Sequence, residues 1–147
     1  MKRVLLAVAA AGLLITTAHA DSRQDYILHC RGCHGPDGAG AAGAVPSFRG
    51  EMARFLQVEG GREYLVRVPG TAQSELSDAR IASLLNWMLY EFSPAQIPPD
   101  FRPYTEEEVA RLRRPLVDVA AMRARLFAQF DGVGGQGPGV GASSTGP

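Results

Sequence analysis

The chain has 147 residues, with 15 basic and 15 acidic side chains and therefore no formal net charge. That length holds one small domain and an appendage, and the balanced charge, with no basic stripe, excludes the footprint of a nucleic-acid binder. Lys2 is the only lysine, so a lysine-rich docking surface is excluded as well. The first predicted element, Met1 to Ala20, reads as an export signal. Lys2 and Arg3 supply the positive start, Val4 to Ile15 is apolar, and Ala18-His19-Ala20 is a small-x-small cleavage site. The apolar run falls short of the roughly 20 residues that a membrane span needs. The mature chain then starts at Asp21, is exported to the periplasm and carries no stable membrane anchor.

From Ser22 to His29 the pattern predicts a short helix, capped by Ser22 or Asp21, with Tyr26, Ile27 and Cys30 on one face. It leads into Cys30-Arg31-Gly32-Cys33-His34, two thiols and an imidazole in the order of a c-type haem attachment site. Each cysteine can add across a vinyl group as a thioether, and the next residue's ring falls under the iron as proximal ligand. A Cys-x-x-Cys pair can also be a redox dithiol or half of a zinc site. The first needs a βαβ setting, and the chain offers no strand-rich half. The second needs further ligands, and outside the motif the mature chain has only His29, adjacent to Cys30. The residues therefore predict one covalently attached haem c, held by Cys30 and Cys33 with His34 on the metal.

Gly35 to Gly43 is a loop of Gly, Ala and Pro that can run close to a porphyrin. It ends at Pro46-Ser47-Phe48-Arg49-Gly50. Gly61 to Val68 is compatible with strand or helix, and its position between two helices favours helix, with Pro69-Gly70 as a terminating turn. The clearest helix spans Ser77 to Phe92. Ser77 is its N-cap, Asp78 lies in the first turn, and Ile81, Leu84, Leu85, Met88, Leu89 and Phe92 form the apolar stripe, with Trp87 beside it. Pro94 closes the helix, and Pro98 to Pro103 is a stiff linker. Thr105 to Glu108 forms a capping box for a helix to Arg114, Pro115 interrupts, and Val117 to Phe130 is helical. Gly132 to Pro147 has almost nothing to bury and reads as a disordered tail.

Cys30 to His34, with Tyr26 in the first helix, Trp87 in the last, the Leu76-Ser77-Asp78-Ala79-Arg80-Ile81 opening of that helix and Pro46 after the histidine, resembles a class I cytochrome c over Asp21 to about Phe92. The resemblance implies an all-α fold, a small cytochrome c domain of three to four helices around a covalently bound haem (residues 21–93). A helical appendage (94–131) and the tail (132–147) follow it. It also implies that the Pro46 carbonyl accepts a hydrogen bond from the second nitrogen of His34, which sets the tautomer and strengthens the ligand. The chain departs from the pattern at the sixth iron ligand. The loop from Gly70 to Leu76, where the family places a methionine, has none. Met52, which follows the Pro46–Gly50 turn, is the expected metal ligand opposite His34. Met88 as ligand, or no protein ligand at all, are the alternatives, although Met88 and Met122 read first as packing residues.

Two functions follow. One is a soluble periplasmic electron carrier, cycling iron between Fe(II) and Fe(III) and working with redox partner proteins: a periplasmic dehydrogenase, and a terminal oxidase or another cytochrome as acceptor. No nucleophile motif, phosphate loop or second metal cluster indicates an enzyme. The other is a five-coordinate haem protein that binds a small gas. Arg49, Arg54, Arg62 and Arg67 are candidate partners for haem propionates. Arg111, Arg113, Arg114, Arg123 and Arg125 offer a basic side for docking to an acidic dehydrogenase.

Overall fold

A computed structural model describes residues 17–114 and 118–133, whose regular secondary structure is helical. The expected export signal lies mostly outside the described residues, as do Pro115 and most of the expected tail. Helix α1 (Thr17–His29) and the short α2 (Arg31–His34) carry the attachment motif. A 3-10 helix (Met52–Gln57), α3 (Gly61–Arg67) and α4 (Pro69–Ala72) lead to α5 (Asp78–Phe92). A 3-10 turn (Pro94–Gln96), α6 (Glu106–Leu112) and α7 (Val119–Val133) complete the chain. Among the described residues the only strand-like feature is an isolated antiparallel bridge between Ala41 and Val45.

The frame is the crossing of α1 and α5. The expected stripe of α5 is buried in full, from Ile81 to Phe92, each large apolar side chain contributing about 1.5–3 kcal/mol. The Ser77 hydroxyl accepts the Arg80 N–H at 3.3 Å and so caps the helix. Where the helices meet, the Tyr26 ring lies 5.6 Å from Trp87 and 5.0 Å from Phe92. The Tyr26 hydroxyl donates to the Gly35 carbonyl at 2.6 Å. Asp25 is buried beside it and accepts two bonds from the Arg80 guanidinium. An unpaired carboxylate at this depth would cost several kcal/mol, so the bidentate pair fixes how α1 sits on α5.

The segment after α5 returns over the molecule and extends the same core. Tyr104, Val109, Leu126 and Phe130 belong to one buried cluster with Tyr26, Leu65 and Leu89. The Asn86 side chain holds the strap as a strand neighbour would, accepting the Tyr104 N–H at 2.8 Å and donating to its carbonyl at 3.0 Å. The Tyr104 hydroxyl donates to the Arg62 carbonyl at 2.9 Å. Burial drives that phenol far above its ordinary range, so it remains a neutral donor. Further along, Phe55 collects the rings of Tyr64, Phe127 and Phe130 at centroid distances of 5.0, 5.7 and 5.2 Å. Gly61 permits this arrangement, because a Cβ there would run into the Phe55 carbonyl.

Several expectations are corrected. Helix α1 begins upstream of Ser22, at Thr17, within the expected export signal. Pro69-Gly70 does not end the chain direction in a turn: Val68 is extended and Pro69 opens α4, its fixed φ suited to the first helical position. The capping box is only half formed. Thr105 accepts the Glu108 N–H at 3.3 Å, but the Glu108 carboxylate turns to Arg62, which grips it through two bonds of 2.5 and 2.6 Å. Finally, α6 stops at Leu112 because Arg113 leaves the helical conformation and sends its side chain inward.

Candidate haem-binding site

An apolar cavity lies between α1, α3, α4 and α5. Cys30, Cys33, His34, Phe48, Met52, Leu65, Leu76, Ile81, Leu84, Leu85 and Met88 face it, with Gly70, Thr71 and Ser74 along one side and His29 at the mouth. The motif's local shape explains how three of these arrive together. The N–H groups of Cys33 and His34 both turn back onto the Cys30 carbonyl, at 3.2 and 3.0 Å. That single helical turn presents both sulfurs and the imidazole to the same space. Neither cysteine is in a disulfide; Cys30 is half-buried and Cys33 exposed. Burial, reinforced by the Asp25 and Cys33 charges, pushes the Cys30 thiol up to about 11, so it stays protonated near neutrality.

His34 is fixed on two sides. Its Nδ1 lies 3.0 Å from the Pro46 carbonyl oxygen, and a neutral imidazole that donates there leaves Nε2 free for a metal. Phe48 stacks against the ring, with centroids 3.9 Å apart and planes at 17°. Burial lowers the proton affinity of His34, opposed in part by the Pro46 bond, which favours the neutral, ligating form. The Pro46 carbonyl is itself held by the loop before it. Gly40 has φ +68°, and a Cβ there would strike the Val45 carbonyl and stand 2.6 Å from that of Pro46. Only glycine allows the chain to pass this close.

These residues fit a haem. Two thiols flank an imidazole with one nitrogen tied back, and the remaining wall is apolar. A bare metal ion does not fit, since no cluster of three or more His, Cys, Asp or Glu side chains exists among the described residues. Met52 and Met88 both line the cavity and are both deeply buried.

The arginines go elsewhere. Arg49 pairs with Asp37 at 3.0 Å, Arg54 with Glu51 at 3.1 Å, Arg67 with Glu63 at 2.5 Å and Arg62 with Glu108. None of the four lines the cavity, and each has a carboxylate partner within the protein. Arg113 does not join a basic docking face either. Its guanidinium donates to the carbonyls of Ala72 (3.0 Å), Leu76 (2.8 Å) and Ser74 and to the Asp78 carboxylate (2.9 Å). Arg123 lies over the Phe127 ring at 5.0 Å. Sequence reasoning missed the roles of Phe48 and Arg113. Phe48 was within reach, standing two residues after Pro46, whereas nothing in the neighbourhood of Arg113 signals its partners some 40 positions away.

A helical fold wrapped around a Cys-x-x-Cys-His cavity defines a haem protein of the covalently attached kind. No protein-family model matches the chain. It is, however, 37% identical over 131 residues to a cytochrome c-552 of Thermus thermophilus, covering 77% of this chain and 87% of that one. A second cytochrome c-552 from the same species is 36% identical over 112 residues, covering 64% of this chain and 85% of the relative. The chain belongs to the monohaem c-type cytochromes, electron-transfer proteins that carry a covalently bound haem c.

Proposed function

We propose that the mature protein, beginning at Asp21, is a periplasmic electron carrier and not an enzyme. It passes single electrons from a periplasmic dehydrogenase to a terminal acceptor. The observation that carries this reading is the convergence of Cys30, Cys33 and His34 on one apolar cavity, with His34 Nδ1 tied to Pro46. Cys30 and Cys33 are the thioether sites, His34 is the proximal ligand, and Pro46 orients it. The haem supplies a reversible one-electron couple. The chain's own residues do the rest. Pro46 and Phe48 hold the imidazole in one orientation, so little reorganisation accompanies a change of charge on the metal. Leu65, Leu84, Leu85 and Ile81 exclude water, which favours the less charged ferrous state. The exposed Cys33 marks the open edge of the cavity, where a redox partner would approach the haem.

The test is expression with the export signal, followed by mass measurement and a redox titration. One haem mass per chain, an N-terminus at Asp21 and a reversible one-electron couple are expected. His34→Ala is expected to keep the thioether-bound haem and lose the native spectrum. A protein without covalent haem, or with haem that does not cycle reversibly, would refute the reading.

A further inference from the structure

The cavity has two unlike walls, and the position of each methionine between them decides the chemistry at the iron. One wall belongs to His34. Phe48 is stacked on the imidazole and so stands on the side from which His34 approaches. Met52 follows one turn later, its N–H bonded to the Phe48 carbonyl at 3.1 Å. The buried Ser93 hydroxyl ties this turn down, accepting the Ala53 N–H at 2.9 Å and donating to the Phe48 carbonyl at 3.4 Å. Met88 approaches from the same side. It precedes Phe92 by one turn on α5, Phe92 lies 5.9 Å from Phe48, and the Gly50 N–H bonds the Phe92 carbonyl at 2.8 Å. Both methionines thus stand on segments tied to the turn that carries Phe48, while their side chains line the cavity.

The opposite wall runs from α3 to the start of α5. Leu65, Gly70, Thr71, Ser74 and Leu76 supply it. None of them is a thioether, imidazole, amine, thiol or phenol. The two hydroxyls are weak donors to haem iron, and that of Ser74 already accepts the Leu76 N–H at 3.2 Å. The loop is also held in place. Arg113 reaches in from beyond α6 and engages the carbonyls of Ala72, Ser74 and Leu76 together with Asp78. Arg67 in turn donates to the Arg114 carbonyl at 2.9 Å. Three loop carbonyls on one guanidinium leave the segment little freedom to bring Gln73 or Glu75, which point into solvent, over the metal.

We infer that this wall gives the iron no protein ligand, and that the space beside Leu65, Gly70, Thr71 and Ser74 admits a small neutral diatomic molecule to the ferrous haem. Met52 is then a packing residue of the proximal wall rather than the sixth ligand. The ligand class follows from these residues, which carry no charge to receive an anion and no acid or base to assist bond cleavage; His29 at the mouth is held to the attachment edge by its neighbour Cys30. Binding needs only donation of a lone pair to iron, with no net redox change. The inference rests on covalent haem held by Cys30, Cys33 and His34, and leaves the one-electron couple in place.

The experiment uses the exported, haem-loaded full chain, with one haem per chain first confirmed by mass. The ferrous spectrum is recorded with and without carbon monoxide for the natural protein, Met52→Leu and Met88→Leu, exchanges that conserve volume in a packed core. The expected result is a Soret shift on adding carbon monoxide, with the same saturation curve in all three proteins. A low-spin spectrum untouched by the gas, with a ferric thioether-to-iron band that Met52→Leu or Met88→Leu abolishes, would overturn the inference and leave the haem reading intact. A low-spin, gas-inert spectrum in all three proteins would overturn it too. Absence of covalent haem would instead overturn the haem reading, and this inference with it.

Discussion

The two walls of the cavity are built by opposite means. The wall behind His34 is local: residues 34, 40, 46, 48 and 52 follow one another within a short stretch, and backbone bonds hold them. Gly40 N–H reaches the His34 carbonyl at 2.9 Å, Phe48 N–H the Gly38 carbonyl at 2.8 Å, and Met52 N–H the Phe48 carbonyl. The wall facing it is short and takes its shape from a side chain some 40 residues downstream. A ligand that must keep one orientation is thus served by contacts that form with little loop-closure cost. The facing wall depends instead on the C-terminal extension being folded.

Removing Arg113 tests that dependence most severely. Arg113→Leu strands three carbonyls and the Asp78 carboxylate, and the loss is expected to be about 3 kcal/mol, given the cost of breaking charged, half-buried hydrogen bonds. Denaturant unfolding followed at the haem band would measure it. A variant as stable as the natural protein would mean that the facing wall holds itself. Gly40→Ala attacks the other wall. A Cβ at φ +68° beside the Val45 and Pro46 carbonyls is expected to cost about 2 kcal/mol. It should also raise the midpoint potential, because a displaced Pro46 carbonyl no longer strengthens His34 as a donor. A potential that does not move would show that the Pro46 contact leaves the metal unaffected. The smallest effect belongs to Arg49→Ala. Both partners of the Arg49–Asp37 pair are more than half exposed, at 61% and 56%, and the change is expected to stay within about 0.5 kcal/mol in thermal unfolding. A larger loss would mean that the proximal loop leans on side chains as the facing wall does.

The extension changes what a truncation can show. Because Tyr104, Val109, Leu126 and Phe130 share the core with residues of α1, α3 and α5, removing residues 101–130 would disturb the fold as well as any partner surface. Point changes on the Arg113 contacts separate the two effects better.

By itself the sequence determined the attachment motif, the stripe and cap of α5, the helical class and the glycine-rich approach to Pro46. All of these are set by neighbours a few positions apart, where spacing and backbone chemistry act directly. The helical choice at Gly61–Arg67 was already open to argument, since its strand-favouring Val and Tyr were outweighed by its place between helices. Tertiary structure alone decided that both methionines reach the cavity, where the arginines end and how the loop from Ala72 to Asp78 is held. Met52 and Met88 have the same chemistry in the sequence, and only the fold ties the first to the Phe48 turn and brings both to one cavity. A long, flexible guanidinium such as Arg113 selects its acceptors from whatever the fold brings within reach, so its partners are a property of packing and not of spacing.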